Sequence, residues 1–148
     1  MNSALIDHAI ELLEKANAEL QPELLPAPAA RALLASYARA RRLVDYGIAG
    51  PSRKVDDASQ LARVTGTSIG RARAVVSTGK VLATSNDLSA ALEHGDISLD
   101  QAAEIATAEE SAPGAARELV AVAQREPFHV LKDRARKAKL DAEQHRNL

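Results

Sequence analysis

The chain has 148 residues, with 19 Lys and Arg against 20 Asp and Glu, 2% aromatic residues, and neither cysteine nor tryptophan. That length suits one domain, or one domain with an appendage, and a real core; the missing cysteines exclude disulfides and thiolate metal sites. The alanine-rich, aromatic-poor composition speaks against a sheet and for closely packed helices, since strands draw on the β-branched and aromatic residues that are thin here. No apolar run reaches the ~18 residues of a membrane span, and the N-terminus has neither the basic start nor the apolar core of a signal peptide. A cytoplasmic protein with no membrane contact is expected.

About eight helices are predicted. Residues 3–20 carry Ile6, Ala9, Ile10, Leu13, Ala16 and Leu20 on one face, an amphipathic helix that must dock on something. Pro22, Pro26 and Pro28 make residues 21–28 a stiff extended connector. A helix over 29–46 is predicted to turn Leu33, Leu34, Tyr37 and Val44, with Ile48 after it, to the core. Its other side runs Arg31, Ala35, Arg39, Arg42, Tyr46, a basic stripe suited either to a phosphate backbone or to solvent. Gly47, Gly50 and Pro51 are expected to end it. Residues 1–25 thus read as an N-terminal helix with its connector, and 26–148 as a helical domain.

The segment Asp57 to Ala83 reads as helix, glycine turn and helix, a helix-turn-helix-like corner over about 57–83. Leu61 and Ala62 place an apolar and then a small residue where a second helix must cross closely. Gly66 suits the turn because a Cβ clashes at positive φ, and the Ser68 hydroxyl can cap the next helix. Ala72, Val75 and Val76 return as its buried stripe. Gly70, Arg73, Ala74 and Ser77 then point away from the first helix, with Lys80 on the same edge. Arg73 is the candidate base reader beside Ser68 and Ser77. Arg71 lies roughly 200° round from Arg73 and suits a phosphate, as do Lys80, Arg39 and Arg42. A glycine-turned corner is also common in helical proteins that never meet DNA.

After the corner, short helices over 87–93 and 98–109 are joined by His94-Gly95-Asp96, and the second opens on a near capping box at Ser98. Pro113 is expected to open the next helix and Pro127 the last, 128–142, which looks weakly anchored. Charge is blocked along the chain: acidic to Glu23, basic from Arg31 to Lys54 with Asp45 the exception, acidic from Asp87 to Glu126, and basic from Lys132 to Lys139. Such blocks make either a basic face for phosphates or helices that pair by charge.

LARVTGTSIGRARAVVSTGKVL followed by LSAALEHGDISLDQAAEIATA resembles the N-terminal all-helical domain of unknown function of the 13E12 repeat proteins, bacterial proteins that commonly end in an HNH endonuclease module. The match runs from about Asp57 to the C-terminus. The corner followed by a short helix and a G-x-[IL]-S-x-x-x-A turn is similar, more distantly, to the central DNA-binding domain of ParB-like partition proteins. Both resemblances imply contact with DNA, and the first implies an HNH nuclease module as C-terminal neighbour. The second corner helix carries few arginines for that family.

An HNH core needs histidines gathered in a ββα unit around a metal. His8, His94, His129 and His145 are scattered over separate elements, so no metal, cofactor or catalytic residue is expected. There is no G-x-S-x-G elbow, and Gly79-Lys80 is followed by Val81 rather than Ser or Thr, which rules out a phosphate loop. The expectation is a non-enzymatic module that binds or positions double-stranded DNA; the alternative is a protein-interaction or dimerisation module. A homodimer would suit the first reading too, since paired half-sites need paired modules.

Overall fold

The computed structural model describes residues 3–147. All regular structure among them is helical: α1 (Ser3–Glu19), α2 (Ala27–Val55), α3 (Ala58–Thr65), α4 (Ile69–Leu82), α5 (Asn86–Glu93), α6 (Leu99–Ser111), α7 (Ala116–Arg125) and α8 (Phe128–Arg146), with a 3-10 turn at Pro22–Leu24. The all-α class with about eight helices is therefore as expected. None of these helices is long and apolar enough to cross a membrane. The chain divides into two compact units, Met1–Ser36 and Tyr37–Leu148, and the division falls inside α2.

In the first unit α1 has no buried residue. The expected extended connector is largely folded: Pro22 opens the 3-10 turn, and the Leu25 N–H returns to the Pro22 carbonyl. Pro28 lies in the first turn of α2, where the N–H it lacks would have had no helical partner. Leu34, expected in the core, is 70% exposed.

In the second unit α2 continues through Gly47, Gly50 and Pro51 to Val55, nine residues beyond its predicted end at Tyr46. A proline inside a helix costs about 3 kcal/mol, and here close packing outweighs it. Ala49 and Ser52, both buried, lie against Gly79 of α4, where an added Cβ would collide with the Ala49 carbonyl oxygen. Val44, expected in the core, is about half exposed, while Ile48 and Tyr46 pack at the core's edge.

The core is aliphatic and small: Val75, Leu82, Leu88, Leu92, Ile97, Ile105, Leu119, Val122 and Leu131 interleave with Ala49, Ala91, Ala102, Ala106, Ala108, Ala116, Ala123 and Ala135. Alanine at the crossings lets helices approach closely, so the paucity of aromatics leaves no deficit of contact. Helix α6 packs against α4, α5, α7 and α8. It opens on a complete capping box, Ser98 Oγ accepting from the Gln101 N–H and Gln101 Oε1 from the Ser98 N–H.

Helix α7 starts at Ala116, three residues after the proline expected to open it. Both Glu109 carboxylate oxygens accept there, from the Gly114 and Ala116 N–H groups, so the acid at the end of α6 caps the helix that follows. Helix α8 is better anchored and longer than predicted: Leu131 and Ala135 are fully buried, α8 lies along α6, and Arg146 donates to the Ser111 carbonyl.

Candidate nucleic-acid interface

The corner is built by local hydrogen bonds. Asp57 Oδ1 accepts from the Gln60 N–H and starts α3. Gly66 ends it at φ 70, ψ 34, and both the Gly66 and Thr67 N–H groups return to the Ala62 carbonyl, the closure that a left-handed glycine allows. Thr65 Oγ1 donates to the Leu61 carbonyl and also pairs with Thr67 Oγ1 at 2.9 Å. Ser68 Oγ then accepts from the Arg71 N–H at 3.1 Å and starts α4. Ala62, Ala72, Val75 and Val76 are buried, with Leu61 at the core's edge, so the two helices are clamped by the residues that the pattern indicated.

What α4 leaves exposed is a strip of Ile69, Gly70, Arg73, Ala74, Ser77 and Lys80. Every other residue of α4 except Arg71 is buried. No family model, curated protein or solved structure matches the chain.

The seven candidate residues are not one surface. Ser68, Arg73 and Ser77 lie exposed along one side of the corner, and neither the Arg73 nor the Ser77 side chain has a hydrogen-bond or ion-pair partner among the described residues. Lys80 belongs to the same strip, but its Nζ lies 3.4 Å from Asp56 Oδ1, on the one described non-glycine residue with positive φ. Arg71 turns away from Arg73, as the helical angle requires, and its Nη1 holds Asp100 Oδ1 on the first turn of α6 at 2.6 Å. Arg42 is half-buried and donates from Nε to the Gly95 carbonyl at 2.6 Å, tying α2 to the α5–α6 turn. Arg39 is exposed on α2.

The structure also gathers residues that sequence reasoning did not place together. Arg41, Arg42, Asp45, Arg71, Asp100 and Phe128 line a cavity of about 400 Å³ at the start of α6. Asp45 Oδ2 accepts from the Leu99 N–H at 2.9 Å. Burial pushes the Asp45 carboxyl above its ordinary 3.8; the Leu99 N–H and the Arg41 and Arg71 guanidiniums pull it down, and Asp100 adds to the rise. The signal was visible, since Asp45 is the one acid between Arg31 and Lys54. Exposed Val64 and Ile69 flank the turn and were also missed. Among the described residues no three His, Asp or Glu side chains gather as metal ligands would.

Proposed function

We propose that the chain is a double-stranded DNA-binding or DNA-positioning module whose reading element is α4. The observation that carries this is the exposed strip of α4. Gly70, Ala74 and Ser77 are small, so the helix can approach base edges closely, and Arg73 in their midst spends its guanidinium on no other group among the described residues. Ser68 and Ser77 flank Arg73, and Val64 and Ile69 at the turn offer apolar contact to thymine methyl groups.

Phosphates would be met by Lys80, Arg71, Arg39 and Arg42. The Arg71–Asp100 and Lys80–Asp56 pairs are at the surface, where an ion pair contributes little and a phosphate can displace the carboxylate. Arg42 acts through Nε on Gly95, so only its outer nitrogens are offered to a phosphate. The resemblance to the domain that precedes HNH nucleases supports a cytoplasmic role in which this module holds DNA and a nuclease module beside it cuts, with no catalytic residue, metal or cofactor in the present chain.

Fluorescence anisotropy of the whole chain against mixed-sequence duplexes, at low and at physiological salt, tests the reading. The expectation is salt-dependent binding, which Arg73→Ala weakens on a preferred duplex. No binding at low salt, or equal binding by the variant on a preferred duplex, overturns it. The second reading, a protein-interaction module, is favoured by one observation, the exposed apolar face of α1.

A further inference from the structure

Helix α1 is 17 residues long and buries none of them. Its branched residues are widely exposed: Leu5 66%, Ile6 60%, Ile10 47%, Leu12 55% and Leu13 37%. At 100° per residue they fall, with Ala9, Ala16 and the polar Asn17, on one arc of roughly 160°. Asp7, Glu11 and Glu14 lie on the opposite side, and His8 and Lys15 beyond the arc's edge.

We infer that this face pairs with the same face of a second copy of the chain, α1 against α1 and antiparallel. The register follows from the side-chain sizes. Large residues recur at Ile6 and Leu13 and small ones at Ala9 and Ala16, the two inward positions of a seven-residue repeat. Parallel pairing sets Ala against Ala and leaves gaps. Antiparallel pairing about a two-fold axis at Glu11, the middle of α1, sets Ile6 against Ala16 and Ala9 against Leu13 in every layer, large against small. Leu12 then meets Leu12, and Ile10 meets Ile10, of the second copy, and these close the flanks.

Charge selects the same occupant. No acid of one copy faces an acid of the other across this seam, because Asp7, Glu11 and Glu14 point outwards and Glu19 comes beside Leu5. A membrane surface is a poor alternative, since the polar face carries three acids where interfacial helices carry Lys and Arg. Two such faces bury on the order of 1,000 Å² in total, the threshold of a specific interface. The pairing is independent of DNA contact by α4, and either can fail alone.

Sedimentation equilibrium of the full chain over a range of concentrations tests the pairing. The expected mass rises from 15.7 kDa to its double, and Ala9→Glu, with circular dichroism confirming that the helices remain, returns it to the single value. Because the chain has no cysteine, single substitutions report register: Leu12→Cys should form a disulfide-linked dimer readily, Ile6→Cys should not, and a mixture of Ile6→Cys with Ala16→Cys should. A single-chain mass at every concentration overturns the proposal, as does a dimer that survives Ala9→Glu. Self-linkage of Ile6→Cys overturns the antiparallel arrangement.

Discussion

Asp45 Oδ2 accepts a hydrogen bond from the Leu99 backbone N–H across 54 residues of sequence, so a side chain of α2 caps the first turn of α6. The first N–H groups of a helix have no internal partner, and Ser98 and Gln101 already occupy each other's backbone N–H groups. The long-range carboxylate therefore supplies what the local capping box leaves open. Arg42 on Gly95 ties α2 to the preceding turn at almost the same level.

Replacing Asp45 separates its two effects. Asp45→Ala leaves the Leu99 N–H without an acceptor and should cost about 1–2 kcal/mol. Asp45→Asn keeps an acceptor and removes the cost of burying a charge, so at neutral pH it should be less damaging than Asp45→Ala. The folded state binds the Asp45 proton more tightly than the unfolded chain does, because burial raises its pKa above 3.8. Stability from this group therefore falls as pH rises from 3.8 through the raised value. Thermal melts of parent and Asp45→Asn should show the parent gaining on the variant as pH is lowered from neutral towards 3.8; a constant difference would show that the shift is absent.

At the α2–α4 crossing, Gly79→Ala sets helix propensity against space. Alanine is favoured over glycine in a helix interior by about 1 kcal/mol, yet a Cβ at Gly79 has no room against the Ala49 carbonyl and stands 3.0 Å from Ser52 Oγ. Overpacking of this kind costs roughly 1–3 kcal/mol. Chemical denaturation should show a net loss of stability, and a gain would mean that α2 can move away from α4 without penalty.

Gly66→Ala probes the corner turn for a different reason. A Cβ at Gly66 meets open space, so any cost comes from φ 70 alone, about 1–2 kcal/mol for an L residue held in the left-handed region. Gly66→Asn should recover part of it, because asparagine tolerates that region better. Melting temperatures in the order Gly, Asn, Ala would bear this out.

The two arginines of α4 should behave differently. Arg71 and Asp100 are 41% and 59% exposed, so Arg71→Ala should change stability by less than about 1 kcal/mol despite the short contact. If Arg71 contacts a phosphate, the variant should bind all duplexes more weakly and with a shallower salt dependence. Arg73→Ala should leave the melting temperature unchanged and cost about 1–3 kcal/mol on a preferred site alone. Equal losses from the two variants on all duplexes would deny Arg73 a reading role.

Much of the fold was legible in the sequence because it is set by neighbours a few residues apart. Alanine-rich helical periodicity, Ser68 and Ser98 as caps, Gly66 in its left-handed turn and the buried stripe Ala72, Val75 and Val76 all follow from local backbone geometry and spacing. The exposed strip with Arg73 and Ser77 follows by subtraction. Tertiary structure alone decided where α2 ends, since Gly50 and Pro51 argue for a stop and only the packing of Ala49 and Ser52 on Gly79 keeps the helix going. It likewise decided which cations are already engaged, because Arg71 with Asp100, Lys80 with Asp56 and Arg42 with Gly95 are meetings across 24 to 53 residues that no local periodicity encodes.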